Sequence, residues 1–283
     1  MKFTIALAQI DSVPGDLSKN IKKHVEFVRK ARDGGADLVV FPELSLSGYS
    51  IKDANWDVAL RATDTVVLKP LLEESRDIAV ILGCVEESEE FGIHNSAFYV
   101  HGGTTRSVHR KTYLPTYGMF EEQRYFSPGK SVRAFDTPLG RLGVLVCEDL
   151  WHLPLPYLLA KDGAQAVIGI VASPTRLSGE QEQLQNARVN SEQHKAYARL
   201  LSTYMVFCNR VGFEDGVNFW GGSEVIGPNG EVVAQAKMFK EDIVFAEIDE
   251  HEIRRARRFS RHFLDDDPSL VEKELRRITG SSK

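Results

Sequence analysis

The stretch Arg141-Leu-Gly-Val-Leu-Val-Cys147-Glu-Asp-Leu-Trp151 decides how this chain is read. A run of apolar residues stops abruptly at a thiol and two acids. Such a run reads as a buried strand whose end opens on a cleft, where open α/β sheets place their chemistry. Two more strand ends carry charge. Glu43 closes Leu38-Val-Val-Phe-Pro-Glu43, and Lys111 closes Val108-His-Arg-Lys111. The thiolate is the nucleophilic form of cysteine, and a free thiol has a pKa near ~8.5. A carboxylate base and a nearby ammonium are what such a nucleophile needs.

Around this stretch the pattern alternates strands and helices. Residues 3–10 read as a strand, followed by a helix capped by Asp16 or Ser18 with Ile21, Val25, Val28 and Ala31 on one side. Gly34-Gly35 ends that helix. Strands are expected at 36–41 and 79–85, with a helix over 65–76 between them. Residues 95–100 and 105–113 form an antiparallel hairpin about Gly102-Gly103. Beyond the Cys147 strand come a short helix at 155–162, a strand at 166–172 and a long helix at 179–203. Strands follow at 205–210 and 224–236, the latter turning at Pro228-Asn229-Gly230, then a last strand at 242–248. Two strand–helix–strand halves, one around Glu43 and one around Cys147, predict one layered α/β sandwich. No Pro/Gly/Ser-rich linker divides the 283 residues, so 1–283 is expected to be one domain with a charged tail at 251–283, placed at a subunit contact.

Bulk properties exclude several classes. The formal charge of −5 gives no basic field for nucleic acid or an acidic membrane surface. Three cysteines argue against a disulfide framework and for a reducing, cytoplasmic setting. No apolar run approaches the ~18 residues of a membrane span. Cys84 and Cys208 sit inside apolar runs and read as small buried hydrophobes. No Cys-x-x-Cys or His-Glu-x-x-His pattern points to a metal. Gly129-Lys130-Ser131 is a turn, because a phosphate loop would need glycine where Arg124 stands. The Arg254–Arg258 run is flanked by acids and reads as a solvated or subunit-contacting helix. His109 and His152 are the rival bases that a Cys–His hydrolase would use. Arg176, Arg188 and Arg199 are candidates to hold a substrate carboxylate.

Phe41-Pro-Glu43-Leu, Arg110-Lys111-Thr-Tyr-Leu-Pro and Cys147-Glu-Asp, in that order, resemble the three signature blocks of the nitrilase superfamily of carbon–nitrogen hydrolases. The resemblance implies a four-layer αββα sandwich, a homodimer or larger assembly, and no cofactor. It implies that Glu43 is the general base, Lys111 the oxyanion stabiliser and Cys147 the nucleophile, with the backbone N–H of Glu148 as second oxyanion donor. The second glutamate of the family matches Glu122 in Phe120-Glu-Glu122, with Glu121 the runner-up. The longer blocks Phe41-Pro-Glu-Leu-Ser-Leu-Ser-Gly-Tyr49, Leu114-Pro-Thr-Tyr117-Gly-Met-Phe-Glu-Glu-Gln-Arg-Tyr125-Phe and Cys147-Glu-Asp-Leu-Trp151 look most like the glutaminase domain of glutamine-dependent NAD synthetases. By that likeness Tyr117, Glu148, Trp151 and Ser173 border the substrate pocket. No Ser-Gly-Gly-x-Asp-Ser pyrophosphate loop is present. The expected activity is hydrolysis of a small primary amide through a cysteine thioester. A nitrilase or N-carbamoyl amide hydrolase, and a glutaminase-type subunit supplying ammonia to a separate synthetase, are the alternatives.

Overall fold

Side-chain alternation in the first strand sets up the layers. In Lys2–Gln9, Ile5 and Leu7 join one apolar core while Ala6 and Ala8 join another, as a period of two requires. A computed structural model of the chain describes residues 1–175 and 180–280; for 180–184 it describes the helix but not the side chains.

Two six-stranded mixed sheets form the centre. In spatial order the first runs Asp242–Asp249, Lys2–Gln9, Leu38–Val40, Ala79–Glu87, Ile93–His101 and Thr104–Arg110. The second runs Val232–Gln235, Glu224–Ile226, Tyr204–Asn209, Ala166–Val171, Gly140–Val146 and Phe135–Thr137. One core holds Ile5, Leu7, Val40 and Ile81 of the first sheet against Val144, Val146, Ile168 and Val206 of the second, so the sheets pack face to face. The outer face of the first sheet is covered by helices Leu17–Asp33 and Lys69–Glu74, through Phe27, Val28 and Leu71. The outer face of the second is covered by Pro154–Lys161 and Glu180–Leu201, through Leu155, Leu159, Ala198 and Leu201. This is the helix–sheet–sheet–helix sandwich.

Three differences from the expected elements have local causes. The helix expected over 65–76 is only Lys69–Glu74, because Pro70 is tolerated in a first turn and not in a helix interior. The hairpin strand expected to reach residue 113 ends at Arg110, and Lys111 begins a loop. A third small sheet of Val211–Glu214, Val217–Trp220 and Pro174–Thr175 was not expected. Its signal was Asp215-Gly216, both at positive φ (51° and 77°), the pair a type I′ hairpin turn requires. The charged tail folds as helices Glu250–Phe259, His262–Asp265 and Pro268–Thr279, anchored by the buried Ile253 and Phe263. No helix among the described residues is long and apolar enough to cross a membrane.

The first helix also carries a buried histidine. The Nδ1 of His24 donates to the Asn20 carbonyl at 2.7 Å, its Nε2 faces Ser45 Oγ at 2.9 Å, and its ring stacks on Phe41 at 4.1 Å. Phe41 and Ser45 flank Glu43, so this ring supports the turn that presents the acid. Burial pushes its pKa down from 6.5 to about 4. Between those values the unfolded chain binds a proton that the folded chain refuses, so stability falls as pH falls through that window. The loss by pH 4 is expected to be about 3 kcal/mol. Denaturant unfolding at pH 7 and pH 4.5 checks this: His24→Gln should show a shallower fall than the wild type, and an equal fall in both would rule the assignment out.

Candidate active site

The carboxyl ends of four strands converge on one point. Leu38–Val40 leads to Glu43, Gly140–Val146 to Cys147, Ala166–Val171 to Ala172, and Thr104–Arg110 to Lys111. The Glu43 turn lies against strand Ala79–Glu87 only because Gly83 lacks a side chain. A Cβ there would stand 2.4 Å from Leu44 N and 2.5 Å from the Pro42 carbonyl. At the turn Leu44 takes φ 48°.

Lys111 is the hub, and it is fully buried. Its Nζ donates to Glu43 Oε1 at 2.8 Å and to Glu122 Oε1 at 2.7 Å. Glu43 also accepts from Asn95 Nδ2 at 2.7 Å and, on Oε2, from the Ala172 N–H at 2.9 Å. The Tyr49 hydroxyl donates a short bond to Glu122 Oε1, while Glu122 Oε2 has no partner. Glu121 is exposed, so of the two adjacent acids it is Glu122 that faces the lysine. The lysine loop closes on the acid through Glu122 N–H to the Pro115 carbonyl at 3.1 Å.

The electrostatics follow from two carboxylates and one ammonium in a dry site. Burial works against the charge on Lys111, but Glu122 and Glu43 outweigh it and hold the ammonium well above its usual pKa. Burial raises Glu122 to about 7, with Lys111 opposing and Glu43 adding to the rise. Burial and then Glu43 push the Cys147 thiol well above its usual value, with Lys111 pulling the other way. The resting cysteine is therefore a thiol, and its proton must leave as it attacks. That is general-base chemistry rather than a preformed thiolate.

Cys147 itself has φ 45° and opens a short 3₁₀ turn, Cys147–Trp151. A non-glycine residue held there stores strain of order 1–3 kcal/mol, which is tolerated where the surroundings fix it. Asp149 supplies that fixing. Fully buried, it accepts from Val146 N at 3.2 Å, Thr112 N at 3.0 Å, Tyr113 N at 3.0 Å and His109 Nε2 at 2.9 Å. One carboxylate thus ties the cysteine turn to the lysine loop. His109 is engaged by Asp149, and His152 lies flat on Tyr113 with ring centroids 3.3 Å apart. The described partners of the two imidazoles are Asp149, Tyr113 and Glu148, not Cys147.

Cys147 opens on a cavity of about 430 Å³ whose walls include Tyr117, Glu148, Trp151 and Ser173, the four residues expected there. Tyr117 donates to Glu148 Oε2 at 2.7 Å. Ser173 is held from two sides: its N–H donates to Asn209 Oδ1 at 2.8 Å, and its Oγ accepts from Trp220 Nε1 at 3.1 Å. Of the arginines considered for a substrate carboxylate, Arg188 lies 3.7 Å from Glu192 and Arg199 donates to the Asn229 carbonyl. Arg176 lies outside the described residues. Among the described residues no cluster of three His, Cys, Asp or Glu side chains is placed to hold a metal.

Tyr49, Asn95, Asp149, Asn209 and the Ala172 N–H had no assigned role in the sequence. A signal existed for Asn95 and Asn209, since each is an amide in a buried strand, Asn209 closing an apolar run, where an unpaired polar group is costly. The Ala172 N–H has no side-chain signal at all.

The model of the carbon-nitrogen hydrolase family matches residues 4–258. The chain belongs to the carbon–nitrogen hydrolase family. The hydrolase is 35% identical over 247 residues to the glutamine-dependent NAD(+) synthetase of Acinetobacter baylyi, covering 87% of this chain and 44% of that protein. Among solved structures it resembles the glutamine-dependent NAD+ synthetase of Acinetobacter baumannii (TM-score 0.77, 31% identity, 89% of this chain and 47% of the other). It also superposes on a carbon-nitrogen hydrolase from Helicobacter pylori with TM-score 0.88, 24% identity and 97% and 99% coverage, a likeness of fold. The chain spans less than half the length of the synthetases it matches. The hydrolase is an enzyme of the class that acts on non-peptide carbon–nitrogen bonds.

Proposed function

We propose that this hydrolase cleaves the primary amide of a small substrate that carries an ammonium group, with glutamine the first candidate, through a thioester on Cys147. The observation that carries the reading is the charge of the cavity. Glu148, next to the nucleophile, is the one charged side chain among the described lining residues. An anion in that wall favours a cationic group on the substrate. The named relatives are glutamine-dependent enzymes, which supports the same choice.

In this mechanism Sγ of Cys147 attacks the amide carbonyl carbon while Glu43 takes the thiol proton. Lys111 Nζ and the Glu148 backbone N–H hold the negative charge that develops on oxygen. Glu43 passes the proton to the nitrogen, the C–N bond breaks, and ammonia leaves. Glu43 then removes a proton from water, which attacks the thioester and releases the acid and the thiol. Glu122 shares Lys111 with Glu43 and keeps the ammonium in place. Supply of the ammonia to a synthetase is a second reading, favoured by the match to the glutaminase region of such enzymes.

Ammonia release from glutamine, its des-amino analogue glutaramate, butyramide and short nitriles tests the proposal. Glutamine should be preferred over glutaramate, and Glu148→Gln should erase that preference by about 10²-fold, the worth of a charge-assisted bond. Equal rates on glutamine and glutaramate in the wild type, or turnover of nitriles alone, would refute it.

A further inference from the structure

The small third sheet carries a buried ion pair that the chemistry above does not use. Arg210 is 1% exposed. It donates from Nη1 to Glu214 Oε2 in a short bond, and from Nη2 to Asp11 Oδ1 at 3.3 Å. Phe219 lies 4.4 Å from the guanidinium, and Arg210 Nε has no partner. Burying such a pair costs desolvation that its own attraction barely offsets, so stability is a poor account of it. The second oxygen of Glu214 offers a better one. Oε1 accepts the backbone N–H groups of Tyr49, at 2.8 Å, and of Ser50. Those amides belong to the loop whose Tyr49 hydroxyl reaches Glu122. Tyr49 packs between Phe120 and Phe219, at 6.3 Å and 6.1 Å between ring centroids.

We propose that Glu214, held by Arg210, is a positioning residue: it fixes the Tyr49–Ser50 backbone, aims the Tyr49 hydroxyl at Glu122 Oε1, and so keeps Lys111 beside Glu43 and Cys147. The inference rests on Glu43, Lys111 and Cys147 being the reacting groups. It does not depend on which amide is the substrate. Without Glu214 the two amides lose a buried acceptor, the loop relaxes, and Glu122 draws Lys111 away from the sulfur.

The test is a double-mutant cycle of Glu214→Ala and Tyr49→Phe. Its first readout is the alkylation rate of Cys147 by iodoacetamide, followed by mass spectrometry of the Cys147 peptide, which needs no substrate. Its second is kcat and KM for whichever amide is turned over. Each single variant is expected to slow alkylation and lower kcat by about tenfold with little change in KM. The double variant should be no slower than Tyr49→Phe alone, because both act through one contact. Losses that multiply, or an unchanged alkylation rate in Glu214→Ala, would overturn the proposal. If Glu214→Ala does not fold, Glu214→Asp, which withdraws the carboxylate by one methylene, carries the same cycle and the same decision. Failure of every amide in the panel with the alkylation pattern intact would strike the substrate reading and leave this one standing.

Discussion

Cys147→Ala is expected to remove ammonia release by at least about 10⁵-fold, the scale of losing a nucleophile that works as one unit with its base. The sulfur stands at the meeting of the cavity and the buried charges. Another hydroxyl in the cavity wall, Ser173 Oγ, is fixed by Trp220. The fold should survive, since Cys147 is only partly buried and alanine keeps its Cβ at the edge of the two cores it touches. Alanine inherits the strained φ of 45°, whereas glycine adopts it freely. Cys147→Gly should therefore be equally inactive and at least as stable as Cys147→Ala. Mass spectrometry of the wild type after brief substrate exposure should show the acyl adduct on the Cys147 peptide. Substantial turnover by either variant would mean that the thioester is not on the path.

Lys111→Met is the second large effect, and it reaches stability as well as rate. The ammonium neutralises two buried carboxylates at 2.8 Å and 2.7 Å. Removing one partner of a buried ionic cluster leaves charge without compensation and typically costs 3–5 kcal/mol, so a loss of about 4 kcal/mol is expected at neutral pH. Loss of an oxyanion donor adds a fall of about 10²–10³-fold in kcat. The pH dependence separates the Glu122 carboxyl from other causes. Burial already lifts Glu122 to about 7 with the lysine present, and without the ammonium beside it Glu122 would titrate higher still. A folded-state pKa above the unfolded value gives stability that is complete at low pH and lost as pH rises. The gap between wild type and Lys111→Met should therefore be small at pH 5 and large at pH 8, read from denaturant midpoints. A gap that does not change with pH would show that the Glu122 carboxyl is not what the lysine serves.

Much of the site was legible because strands end where apolar runs end. Glu43 and Cys147 interrupt such runs, and a residue that does so at the carboxyl end of a parallel strand is placed at the cleft by the sheet itself. Lys111 was legible as a strand-end charge, although its strand stops at Arg110, three residues short of the expected end at residue 113. The helix expected over 65–76 is shortened to Lys69–Glu74 because Pro70 belongs in a first turn, and the hairpin at Asp215-Gly216 is marked in the sequence only by a two-residue turn pair.

The sequence by itself determined the layers, the three charged strand ends and the family, because each is written in local periodicity or in short contiguous blocks. Only the tertiary structure decided which acid serves the lysine. Glu121 and Glu122 differ by one residue in the chain, yet one is exposed and the other buried against Lys111. It also decided that the base is steadied by Asn95 and by a backbone N–H of Ala172, that one aspartate ties two loops together, and that the nucleophile sits at positive φ. These features join segments 52 and 129 residues apart, or belong to the backbone, which carries no side-chain signature to read. They come into being when two sheets close on one lysine.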